Sequence, residues 1–142
     1  MYRISKEFSF SMGHRLSRHL GLCKNIHGHN YTVIVALKSP TLNGNGMVMD
    51  FGDLKAIVSN YLKKYDHALM INEDDVEGIE KLKEVIPYLK VVTVPHEPTA
   101  ENMAREIYEY VDSEVKKYAG EMSMDFVTVY ETDGSQATYS ED

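Results

Sequence analysis

Cys23-Lys24-Asn25-Ile26-His27-Gly28-His29-Asn30-Tyr31-Thr32-Val33-Ile34-Val35-Ala36-Leu37 is the stretch from which the rest of the chain is read. Side chains of a strand alternate between faces, so His27, His29, Tyr31, Val33, Val35 and Leu37 share one face. Two imidazoles therefore continue an apolar stripe. Upstream, Ile4, Lys6, Phe8, Phe10, Met12 and His14 alternate in the same way, which predicts a first strand ending on a third imidazole. Two strands converging at that end would offer His14, His27 and His29 to one divalent ion. Zinc suits an all-imidazole set, and a catalytic zinc keeps one of its four positions open; copper or nickel would also bind such a set in vitro. Cys23, the only thiol, has three readings: a small buried hydrophobe, a fourth ligand closing a structural Cys-His₃ site, or a free base beside an open metal.

Further along, residues 42–46 form a turn, and Met47-Val48-Met49 leads into Asp50-Phe51-Gly52-Asp53. Leu54, Ile57, Val58, Tyr61 and Leu62 recur at helical spacing, with Asp50 or Gly52 placed to cap the start. A shorter amphipathic segment over 75–86 ends at Pro87, and 89–94 reads as a strand. Thr99 is the N-cap of the strongest helix, whose apolar face is Met103, Ile107, Tyr110, Val111 and Tyr118 and whose natural stop is Gly120. Residues 126–131 are β-rich, followed by an Asp133-Gly134 turn and a last strand over 136–139. Strands, then helices, then strands favour an α+β fold with an antiparallel sheet over a parallel βαβ architecture. Without internal repeat or linker, residues 1–142 are expected to be a single domain.

Composition narrows the function. A net charge of −7 argues against a generic nucleic-acid binder. Residues 8–49 nevertheless contain no Asp or Glu, and Arg15, Arg18, Lys24 and Lys38 give them +4, leaving −11 for the remainder. The histidine region is thus expected to be locally positive and to favour an anionic substrate. No apolar run reaches the roughly 20 residues of a membrane helix, and the first residues lack the apolar core of a signal peptide. A single Cys allows no internal disulfide, which fits a reducing cytosol.

Six motifs occur in order: Phe10-x-x-x-His14-Arg15-Leu16, Cys23-x-x-x-His27-Gly28-His29-Asn30-Tyr31, Met49-Asp50-Phe51-x-x-Leu54-Lys55, Tyr65-Asp66-His67, Pro98-Thr99-x-Glu101-Asn102 and Val129-Tyr130-Glu131-Thr132. Together the chain resembles the 6-pyruvoyl-tetrahydropterin synthase / 6-carboxy-tetrahydropterin synthase family nearly end to end. Two departures stand out. Met12-Gly13 replaces small alanine-like residues before His14, and the His14-to-Cys23 connection is short, which bears on the pocket rim.

The resemblance implies a T-fold: a four-stranded antiparallel sheet with two long helices on one face, completed as a barrel by oligomerisation, commonly a homo-hexamer of two stacked trimers with sites between subunits. It places zinc on His14, His27 and His29, makes Cys23 the general base, and pairs Asp66 with His67 for proton transfer. It also implies that Glu131 holds the ring N–H donors of a pterin. Thr99, chiefly a helix cap, opens a helix whose N–H groups would also contact the pterin. Arg15, Arg18, His19 and Lys24 are candidate phosphate contacts, whereas Asp50 and His96 are expected to be structural or at the surface. The implied enzyme is a cytoplasmic zinc lyase acting on 7,8-dihydroneopterin triphosphate. The product is 6-carboxy-5,6,7,8-tetrahydropterin with acetaldehyde and triphosphate, on the route to 7-deazaguanine (queuosine). The 6-pyruvoyl product is the alternative, and a non-catalytic closed Cys-His₃ module the alternative of another class.

Overall fold

A computed structural model describes the backbone of residues 1–142 and every side chain except that of Val76. The elements follow in the order β1 (Tyr2–His14), β2 (His27–Ser39), α1 (Phe51–Leu62), β3 (Leu69–Asn72), α2 (Val76–Val85), β4 (Val91–Val94), α3 (Ala100–Val115), β5 (Ser123–Thr132) and β6 (Ser135–Tyr139). β1 and β2 pair antiparallel along their whole length, from Tyr2 opposite Ser39 to His14 opposite His27. Alternation sorts them as expected: Phe10, Met12, His14, Tyr31, Val33, Val35 and Leu37 are buried, while Ser9, Gly28 and Asn30 are exposed.

The two long helices start where their caps place them. The Asp50 carboxylate accepts from Gly52 N, and Thr99 Oγ1 accepts from Asn102 N at 3.2 Å; such a cap is worth about 1 kcal/mol. Met103, Ile107, Val111 and Val115 of α3 are buried in the core, each contributing about 1.5–3 kcal/mol. α3 ends at Val115 rather than running to Gly120. Lys117 N and Tyr118 N bond three residues back, to Glu114 O and Val115 O, so the last turn tightens and Tyr118 is left exposed.

The sheet corrects the expected architecture. Its order is β4-β3-β1-β2-β5-β6. β1, β2, β5 and β6 are the expected antiparallel four, but β3 pairs parallel with β1 and β4 parallel with β3. Six strands and three helices therefore replace four and two, and β3-α2-β4 is a βαβ unit on the edge. Leu69–Asn72 hid this because its four residues are all buried, and so short an apolar run shows no period. The two long helices, α1 and α3, share one face as expected, and the short α2 covers the other. Leu69 and Ile71 pack on Ile79 and Leu82 of α2, whereas Met70 between them joins the main core under α1 and α3. The whole is a curled α+β sheet of T-fold type with helices packed on it. Among the described residues, no helix is long and apolar enough to cross a membrane.

Candidate active site

β1 and β2 end together, and their register sets His14 opposite His27 with His29 two residues further on the same face. One ligating nitrogen from each ring lies within 4.8 Å of the others. Backbone carbonyls fix two of the tautomers. His14 Nδ1 donates to Pro98 O at 2.8 Å, and His27 Nδ1 donates to Asn25 O at 2.8 Å. Each Nε2 is then left with its lone pair, and the two nitrogens face each other at 3.0 Å. Lone pairs at that distance repel unless a proton or cation lies between them. Two ligands of one tetrahedral zinc are separated by roughly 3.3 Å, so the cage is close to the right size. His29 Nε2 is buried without a hydrogen-bond partner, an orphan that a metal would satisfy. The donor set fits a divalent metal. Burial lowers the pKa of His14, outweighing the upward pull of the Pro98 carbonyl and Glu131 and favouring the neutral ring that ligates.

Glu131 ends the buried Val127/Val129 face of β5, and its Oε2 lies 3.8 Å from His29 Nε2. A carboxylate thus borders the imidazoles within one chain. Thr99 caps α3 one residue after the carbonyl that holds His14. The sequence reading passed over Tyr31 and Pro98 as parts of this centre. The buried Tyr31 hydroxyl lies 3.3 Å from His14 Nδ1. Its place on the His27/His29 face was the available signal.

Cys23 is half-buried in a short 3₁₀ turn, Leu22–Lys24, in the loop joining β1 to β2. The cluster of potential ligands contains the three imidazoles and leaves its sulfur out, unlike a closed Cys-His₃ site. Arg15 is engaged rather than free, ion-paired to Asp75 with Nε donating to Lys24 O at 2.8 Å. Arg18 faces Asp74 at 3.8 Å in an exposed pair, and His19 accepts from Gly21 N. Among the described residues, Lys24 makes no ion pair. Glu97, which the sequence reading did not single out, receives Ser17 Oγ at 2.9 Å, Arg18 N at 2.8 Å and Asn72 Nδ2 at 3.3 Å. Burial pushes its pKa up, but these donors and the nearby Arg18 charge prevail and lower it.

Asp66 and His67 are in contact, Oδ1 to Nδ1 at 3.0 Å. The Ser11 N–H, donating to Asp66, is the main cause of a lowered carboxyl pKa, with His67 and Lys90 adding to it. His67 has φ +61, uncommon for a residue other than glycine, and strain of this kind concentrates at functional sites. Its exposed ring opens on a depression lined by Ser11, Gly13, Gly28 and Asn30, together with Met12, His29 and Ala68. By strand alternation Ser11, Gly13, Gly28 and Asn30 belong to the sheet face opposite the imidazoles. Within one chain, the dyad and the metal cage are therefore on different faces.

With this geometry in hand, residues 3–142 match the family model described as 6-pyruvoyl tetrahydropterin synthase. A 6-carboxy-5,6,7,8-tetrahydropterin synthase of Haemophilus influenzae is 35% identical over 99% of this chain and 100% of its own. An uncharacterized protein of Wolinella succinogenes has a crystal structure similar to this one with a TM-score of 0.85 and 25% identity, covering 99% of this chain and 98% of its own. The 6-pyruvoyl tetrahydropterin synthase of Caenorhabditis elegans follows at TM-score 0.71 and 26% identity, with 99% and 96% covered.

Proposed function

The chain belongs to the 6-pyruvoyl tetrahydropterin synthase family, and on that premise we propose that it is a zinc-dependent 6-carboxy-tetrahydropterin synthase. It would convert 7,8-dihydroneopterin triphosphate and water to 6-carboxy-5,6,7,8-tetrahydropterin, acetaldehyde and triphosphate. The observation that carries the reading is the three-imidazole cage with two tautomers fixed and His29 Nε2 orphaned. The near full-length likeness to the Haemophilus influenzae enzyme supports the carboxy branch over the 6-pyruvoyl one.

His14, His27 and His29 would hold the ion, which as a Lewis acid would lower the pKa of substrate hydroxyls beside the ring. Glu131 presents two acceptor oxygens to the 2-amino and ring N–H donors of the pterin, with Thr99 and the first N–H groups of α3 beside it. Cys23 takes and returns a proton at the side-chain carbons, and His67, oriented by Asp66, serves the second transfer. Lys24 contacts the triphosphate, with Arg15, Arg18 and His19 near it. The opposite placement of dyad and cage supports sites completed between subunits of a homo-hexamer. Residues 1–142 would then form one catalytic domain acting in the cytoplasm without nucleic acid or membrane partners.

The test is product identity. Zinc-loaded protein given dihydroneopterin triphosphate should release acetaldehyde equimolar with triphosphate, read by coupled alcohol dehydrogenase. Triphosphate without acetaldehyde would move the chain to the 6-pyruvoyl branch. Release of neither would remove the lyase reading.

A further inference from the structure

The loop over residues 15–26 bears the thiol, yet packing does little to hold it: Leu20 and Leu22 are almost fully exposed and Ile26 half so. Its two limbs are tied to each other by Leu16 N donating to Cys23 O at 3.0 Å and Arg15 Nε donating to Lys24 O at 2.8 Å. The limb containing Ser17 and Arg18 is tied to the body by the Glu97 carboxylate, through Ser17 Oγ and Arg18 N. The same carboxylate receives Asn72 at the end of β3. Its neighbour Pro98 supplies the carbonyl that fixes His14, and His96 on its other side bonds Glu106 on α3 at 3.0 Å. The limb that pairs with the thiol's, and one imidazole of the cluster, are thus referred to the adjacent residues Glu97 and Pro98.

We propose that Glu97 is a positioning residue that sets the Cys23 loop against the metal centre. This inference rests on the reading of Cys23 as the proton carrier. Three donors converge on one charged acceptor, and bonds to charged groups are the stronger class. Arg15 with Asp75 is a second anchor, at the strand-proximal end, and the exposed Arg18–Asp74 pair adds a weaker third tie. Removing Glu97 would therefore loosen the loop that carries the thiol while leaving the imidazoles in place, because β1–β2 pairing holds those and the Pro98 carbonyl on His14 is a backbone group outside the loop.

The test uses zinc-loaded full-length protein and the variants Glu97→Ala, Glu97→Gln, Cys23→Ala and Glu97→Ala/Cys23→Ala. Glu97→Ala should keep stoichiometric zinc and an unchanged KM while kcat falls at least about tenfold, and alkylation of Cys23 by iodoacetamide should quicken several-fold. Glu97→Gln, which retains one acceptor oxygen, should lie between. Cys23→Ala alone should keep zinc and lose about 10²–10⁴-fold in activity, the usual contribution of a proton carrier. Adding Glu97→Ala to Cys23→Ala should then lower kcat no further, since a residue acting through the thiol has nothing left to position. Additive losses in the double variant, or alkylation unchanged by Glu97→Ala, would overturn the proposal. Alkylation needs no turnover. A protein inactive on the pterin triphosphate whose thiol still responds to Glu97→Ala would therefore retire the proposed reaction and keep the tether.

Discussion

The strand ends that carry the imidazoles and the loop that carries the thiol are neighbours held by different forces. His14, His27 and His29 are placed by a thirteen-residue antiparallel ladder and by carbonyls of Pro98 and Asn25. Backbone bonds of this kind survive most side-chain substitutions. Cys23 sits between exposed apolar residues in a loop tied to the body through the side chains of Glu97, Ser17, Arg15 and Asp75. The contrast suits the proposed division of labour. A metal cage needs fixed geometry, whereas a residue that takes and returns protons benefits from a mount tunable without disturbing the metal.

The sharpest way to break the comparison is at the cage. His27→Ala and His29→Ala should each strip zinc and abolish turnover, because two imidazoles hold zinc poorly, while the sheet remains folded. Full zinc occupancy by elemental analysis in either variant would remove these rings as ligands and with them the rigid half of the contrast.

A smaller effect is expected at Glu131, which borders the cage but is proposed to bind the pterin. Glu131→Gln keeps the shape and replaces one acceptor with a donor facing the pterin's own donors. Binding should weaken by about 1.5–3 kcal/mol per mispaired bond, with zinc retained. An unchanged pterin affinity by titration calorimetry would take Glu131 out of the substrate site.

The smallest effect is on stability and sharpens the rigid half. Because burial depresses the His14 pKa, the unfolded chain binds a proton there more readily than the folded one. His14 therefore adds stability to metal-free protein above the unfolded histidine value of about 6.5, and that stability is lost as pH falls through the lower folded value. Denaturant midpoints of metal-free protein should fall with acidification from pH 7 to 5, and less so in His14→Gln. Identical pH slopes would show that His14 is not the group responsible.

Sequence alone determined the two long strands, both capped helices and the three histidines that cluster at the strand ends. Each rests on a local rule: a period of two, a period near 3.6, or a side-chain oxygen placed to take a helix N–H. Asp50 and Thr99 cap where expected, and His27, His29 and Tyr31 share the predicted face. The Asp66–His67 contact was expected from the family resemblance, not from a local rule. Only the tertiary structure decided the short strand β3 and the parallel pairing that joins the expected α2 and β4 to it, the placement of dyad and cage on opposite faces, and the hydrogen bonds of Glu97. A four-residue buried strand has too few positions to show a period. Ser17 and Glu97 meet from 80 residues apart, and His14 meets the Pro98 carbonyl from 84. Contacts between residues so far apart depend on how the sheet curls and which edge the added strands join, and they leave no spacing in the sequence to read.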